Sequence, residues 1–234
     1  MTDADPQPKT MKKYSRSKID LFIECPCCFY RDQRLNIKRP PGFPFSLNNA
    51  VDTLLKKEFD QYRALGKSHP IQEKLGLIPA NHPQIDEWRE ALKKGVQYHH
   101  PTHDCIYRGG IDDLWYNPAN GEYHVVDYKA TAKQEVVTEL PDWANGYRRQ
   151  SEIYQWLLRK NGLKVSDIAY FLYCTGDVHA EAFNGVLKFH LELIPYQGND
   201  SWVEGVLDRM QACLRSENVP APAEACEYCS YRLA

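Results

Sequence analysis

The chain has 234 residues, 43% hydrophobic and 26% charged, with 29 Lys and Arg set against 31 Asp and Glu. That balance excludes a disordered or fibrous chain and suits one sizeable domain. No run reaches the roughly 20 apolar residues of a membrane helix and none follows Met1 as a secretory segment would, so a soluble, cytoplasmic protein with no membrane partner is expected.

Residues 1–14 are polar and aperiodic and read as a flexible tail. Ser15 or Ser17 can cap a short helix over 18–23, stopping before Pro26. Residues 9–39 hold nine Lys and Arg against three Asp and Glu, which reads first as a solvated face. A Pro/Gly loop spans 39–45. Ser46 then caps a long amphipathic helix to about Leu65, with Leu47, Val51, Leu54, Leu55, Phe59 and Tyr62 at helical spacing. A second helix is expected from Pro83 to Lys94, closed by Gly95. Short β-rich segments follow at 103–109, 110–116 and 122–130, the last two joined by the turn 117–121. A helix is expected over 143–161, strands over 168–174 and 186–194, and a helix over 201–215. Residues 220–234 show no periodicity. The pattern predicts an α/β fold, a mixed central sheet flanked by helices, with both termini forming one extra lobe.

The most informative stretch is Gly109-Gly110-Ile111-Asp112-Asp113 followed by Val125-Val126-Asp127-Tyr128-Lys129. A turn centred between Ala119 and Asn120 puts Asp112 opposite Asp127. A two-residue Asn120-Gly121 turn puts Asp112 opposite Lys129 and keeps it on the face of Asp127. In either register Leu114, Tyr116, Tyr123 and Val125 share that face, which is apolar but for its charges. Two carboxylates there repel each other and are costly to bury unpaired. Lys129 offsets one charge; Mg²⁺ or Mn²⁺, hard cations that take oxygen ligands, would offset both. Two Cys-x-x-Cys pairs, Cys25/Cys28 and Cys226/Cys229, supply four thiolates for zinc or an iron–sulfur cluster; a redox dithiol and buried free thiols are the other readings. Cys105, Cys174 and Cys213 read as core. His99, His100 and His103 with Asp104 can bind a metal but read first as a polar loop before the first strand. No Walker-type loop or Ser-His-Asp nucleophile elbow is visible.

Gly-x-x-Asp on one strand, Asp-x-Lys on the next, and Gln150-x-x-x-Tyr154 on the following helix resemble the PD-(D/E)XK nuclease superfamily. The resemblance spans about residues 15–234 and is greatest to the RecB-like branch, which includes CRISPR-associated iron–sulfur exonucleases. It implies a restriction-endonuclease-like core in one nuclease domain over 15–234, with 15–45 and 216–234 forming a metal clasp. Asp112 and Asp127 would hold the divalent metal and Lys129 would orient the attacking water or stabilise charge. Gln150 and Tyr154 would contact the nucleic-acid backbone. Phosphate contacts are also expected from Arg148, Arg149 and the basic N-terminal segment, and the substrate expected is DNA. The branch usually adds a His from an early helix; the first long helix here has none, and Asp52 takes its position, with Glu58 as the alternative. The branch's [4Fe–4S] cluster uses one N-terminal and three C-terminal Cys. Only two C-terminal Cys are present here, so Cys28 would substitute and Cys27 is spare. The resemblance favours the cluster, with Zn²⁺ as the alternative. One rival is a metal-stapled nucleic-acid-binding or adaptor protein without cleavage activity. Another is a subunit active only within a larger repair or CRISPR-adaptation complex.

Overall fold

The sheet is built outward from the expected hairpin. A computed structural model describes residues 11–42 and 46–233. Along it run β1 (Lys13–Ser15), α1 (Arg16–Glu24), α2 (Pro26–Arg34), α3 (Ser46–Leu65), α4 (Pro70–Glu73), β2 (Ile78–Pro79), α5 (Ile85–Arg89) and β3 (Val96–His100). There follow β4 (Cys105–Gly109), β5 (Asp113–Asn117), β6 (Glu122–Thr131), α6 (Asn145–Lys160), β7 (Ile168–Gly176), β8 (Phe189–Gln197), α7 (Val203–Arg215) and α8 (Glu227–Leu233). The larger sheet has the order β2-β5-β6-β7-β8 and the smaller β1-β4-β3. In the larger sheet β6 and β7 pair in parallel, and α6 is the crossover that a parallel pair requires. The architecture is α/β, two mixed sheets flanked by helices.

Both faces of the central strands are covered. Leu114 and Val125 pack against Ile153 and Leu157 of α6. Trp115, Val126 and Tyr128 pack against Leu55 and Phe59 of α3. Successive strand residues therefore meet different helices, which is why β6 reads as a near-continuous apolar run up to Asp127.

Several elements depart from expectation. Residues 1–10 of the expected tail and 43–45 of the expected loop lie outside the described residues. Lys13 and Tyr14 belong to β1, where buried Tyr14 stacks on Tyr107. The first helix stops before Pro26 as expected, and Pro26 also begins a second helix, α2, because a first-turn position needs no N–H donor. The expected helix 83–94 is helical only over Ile85–Arg89. Leu92, which would continue the stripe of Ile85 and Trp88, is 91% exposed. Ala91 instead lies so close to Gly110 that a Cβ there would come within 2.3 Å of it. His99 and His100 lie in β3 rather than a loop. His100 pairs with Glu204 and His103 with Asp208 and the Tyr107 hydroxyl, fastening this hairpin to α7. The aperiodic C-terminal segment forms α8. Cys105 and Cys174 are buried and Cys213 partly so.

Candidate active site

The ladder of β5 and β6 pairs Asp113 with Val126 and Asn117 with Glu122. This is the register centred on Ala119–Asn120, and it sets Asp112, one residue before β5, opposite Asp127. Asp112 Oδ2 accepts the Tyr128 backbone N–H at 2.9 Å. Asp127 Oδ1 accepts from the Gln150 amide at 2.7 Å, and its Oδ2 faces the Lys129 ammonium in an ion pair. Burial first and the Asp127 charge second raise the Asp112 pKa to about 7, against the opposing pull of Lys129, Lys56 and the Tyr128 N–H. A half-buried acid with a raised pKa opposite a buried carboxylate is a donor set that fits a divalent cation.

Helix α6 supplies the layer above. Gln150 also donates to the Tyr154 hydroxyl at 3.3 Å. Tyr154 is 4% exposed, and burial with the two nearby carboxylates raises its pKa to about 12, against the pull of Arg16. Its ring lies so close to β4 that a Cβ on Gly109 would come within 2.5 Å, so the glycine is a packing requirement. Arg149 and Arg16 both bind Asp20, at 2.6 and 2.7 Å. Arg148 donates to the carbonyls of Leu140 and Asp142 and to Asn145 Oδ1, bracing the loop before α6. Much of the basic N-terminal run is satisfied within the chain: Lys18 by Asp32, Arg39 by Glu24 and Arg34 by the Leu214 carbonyl.

Asp113, the neighbour of Asp112, goes to the other face. It is fully buried and accepts from Arg63 at 2.6 Å, Arg89 at 2.8 Å and the Tyr128 hydroxyl at 2.8 Å. Asp60 joins both arginines. Sequence reasoning missed this cluster. Its only signal was a second Asp in the motif, whose cationic partners lie 50 and 24 residues away.

A cleft of about 360 Å³ opens beside Lys129, lined by Asn48, Asp52, Lys133, Trp143, Tyr147 and Tyr173 among others. Asp52 therefore reaches the same cleft as Lys129, paired with Lys56 at 2.9 Å. Glu58 instead pairs with His69. Trp143 is 63% exposed with Lys133 over its ring, Lys129 lies over Tyr147, and the buried Tyr173 hydroxyl has no hydrogen-bond partner among the described residues. A model of the PD-(D/E)XK nuclease superfamily matches residues 13–234.

The chain belongs to the PD-(D/E)XK nuclease superfamily. No curated protein matches its sequence. In this PD-(D/E)XK chain the termini meet at a second site. Cys25, Cys28, Cys226 and Cys229 are all buried and their sulfurs lie within 4.8 Å of one another, a set able to hold a metal. The Ala223 N–H points at Cys25 Sγ at 3.4 Å and Arg39 at Cys226 Sγ at 3.6 Å. Tyr30 and Arg34 of α2 add hydrogen bonds to the carbonyls of Ser216 and Leu214. Among the described residues no helix is long and apolar enough to cross a membrane.

Proposed function

We propose that this superfamily member is a Mg²⁺- or Mn²⁺-dependent nuclease that hydrolyses phosphodiester bonds in DNA. The observation that carries the reading is the opposed pair Asp112 and Asp127, the first with its pKa raised to about 7 and the second ion-paired through Oδ2 with Lys129. Asp112 and Asp127 would hold the cation, with Asp52, which lines the cleft beside Lys129, as a third oxygen donor. A bound divalent ion supplies Lewis acidity toward the phosphate and lowers the pKa of water. Lys129 then donates to the attacking water or to the phosphate oxygen on which charge develops, held in place by Asp127 and the Tyr147 ring. Gln150 fixes the orientation of Asp127. The strand passes along the aromatic cleft, where Trp143 offers a stacking surface and Lys133 and Tyr173 offer donors.

The DNA preference rests on the resemblance to the RecB-like branch, as does a role beside repair or CRISPR-adaptation proteins in the cytoplasm. Residues 15–234 would act as one nuclease domain, with 15–45 and 216–234 as its clasp. The test is cleavage of labelled single- and double-stranded DNA and RNA with and without Mn²⁺, using wild type and Asp127→Ala. Metal-dependent DNA cleavage lost in the variant is expected. Binding without cleavage would instead favour the adaptor reading.

A further inference from the structure

We propose that the four-cysteine site holds a single tetrahedral zinc ion rather than the [4Fe–4S] cluster that the family resemblance implies. The spacing of the sulfurs carries the inference. Cys28 Sγ lies 3.5 Å from Cys229 and 3.6 Å from Cys226, Cys25 Sγ lies 3.8 Å from Cys229, and no pair in the set exceeds 4.8 Å. Four thiolates around one zinc at about 2.3 Å form a tetrahedron with edges of about 3.8 Å. A cubane is larger: each thiolate binds its own iron and projects outward from a corner, which sets the thiolate sulfurs about 6 Å apart. The observed set leaves no room for four irons and four sulfides.

The local backbone fits the same conclusion. Cys25 caps α2, and its carbonyl accepts the Phe29 N–H at 3.0 Å, so Cys25 and Cys28 sit on one turn with both sulfurs on the same side. Cys226 precedes α8, and its carbonyl accepts from Cys229 and Ser230 at 3.0 Å, which repeats the arrangement. Each Cys-x-x-Cys turn is thus a bidentate chelate, and the two face each other across the junction of the termini. Cys27, between the first pair, is buried but outside the four-sulfur set, so the ligand number is four without it. Four thiolates on Zn²⁺ leave a net charge of −2, which the Ala223 N–H and the Arg39 guanidinium reduce in part by donating to sulfur. With zinc the clasp has no redox chemistry of its own: it fixes α8 to α2 and carries no electrons.

The inference is independent of the nuclease reading, and its test needs no activity. Protein is purified anaerobically from cells supplied with iron and cysteine, and its metal and acid-labile sulfide are measured. One zinc per chain, no sulfide and a colourless solution are expected, and exchange with Co²⁺ should give the visible d–d bands of a tetrahedral thiolate site. Cys27→Ser should keep one zinc, whereas Cys229→Ser should lose it. Brown protein with iron and sulfide in equal amounts overturns the proposal, as does wild-type protein with no bound metal. Loss of zinc in Cys27→Ser overturns the assigned ligand set. If Cys229→Ser does not fold, the wild-type metal count and the Co²⁺ spectrum still decide.

Discussion

Asp112→Asn and Asp113→Asn should change stability in opposite directions, although the two residues are adjacent. Asp113 is the acceptor for Arg63, Arg89, the Tyr128 hydroxyl and the Leu114 N–H, all between 2.6 and 2.8 Å. Removing one partner of a buried ion pair costs about 3–5 kcal/mol, because the remaining charge is left uncompensated. An Asn keeps part of the hydrogen bonding, so a loss of about 3 kcal/mol is expected, or about 6–12 °C in Tm for a chain of this length. Asp112 sits in the reverse situation. Its pKa rises from the ordinary 3.8 to about 7 through burial and the Asp127 charge. The folded state therefore retains a proton that the unfolded state has released, and stability falls as pH rises from about 4 to about 7. A shift of about 3 units corresponds to about 4 kcal/mol above pH 7, and local relaxation reduces this to about 2 kcal/mol. Asp112→Asn should therefore raise Tm by about 4–8 °C at pH 8 in buffer passed over a chelating resin, and the gain should shrink as pH falls toward 4. Added Mn²⁺ should stabilise the wild type more than this variant. Thermal melts of the three proteins across this pH range provide the measurement. An Asp112→Asn protein less stable than wild type at pH 8 without divalent metal, or an Asp113→Asn protein within 2 °C of it, would refute the charge assignment of the two faces.

With Asp112 near half-protonation at neutral pH, metal binding should release about 0.5 proton per chain at pH 7 and almost none at pH 8.5; calorimetry in buffers of different ionisation enthalpy reads this, and an equal release at both pH values would contradict it. Asp127→Ala and Lys129→Ala should each reduce cleavage by 100-fold or more with an unchanged circular dichroism spectrum, on the order expected when a metal or electrostatic contact is lost; Asp127→Ala cleaving at the wild-type rate would remove the nuclease assignment. Asp52→Ala should raise the Mn²⁺ concentration needed for half-maximal cleavage several-fold, with a smaller effect from Glu58→Ala, whose partner is His69; a metal titration that superimposes on wild type takes Asp52 out of the site. Trp143→Ala should raise KM for single-stranded oligonucleotides about tenfold, the equivalent of one lost stacking contact, while hydrolysis of a small chromogenic phosphodiester stays unchanged; equal losses on both substrates would mean that Trp143 acts on the fold instead.

The sequence by itself determined the parts governed by local rules. The turn 117–121 and period-two alternation placed Asp112, Asp127 and Lys129 together, and the apolar run into Asp127 marked β6 as a central strand. Helical spacing located α3, α6 and α7 to within a few residues. Two Cys-x-x-Cys pairs announced a four-thiolate set, because chelate spacing is itself a local property. Long-range pairing decided the rest. Strand β1 exists because its edge pairs with β4, some 90 residues on, and three residues carry no period of their own. Helix α5 ends at Arg89 because that side chain is drawn inward to Asp113 and the following backbone packs on Gly110, neither of which the 83–94 pattern encodes. The choice between the two candidate registers, which of the two adjacent aspartates meets arginines and which meets another acid, and how closely the four sulfurs approach are all set by packing between distant segments. Side-chain alternation fixes which residues share a face, but only the helices laid against that face determine whether a carboxylate there is neutralised, protonated or left to bind a cation.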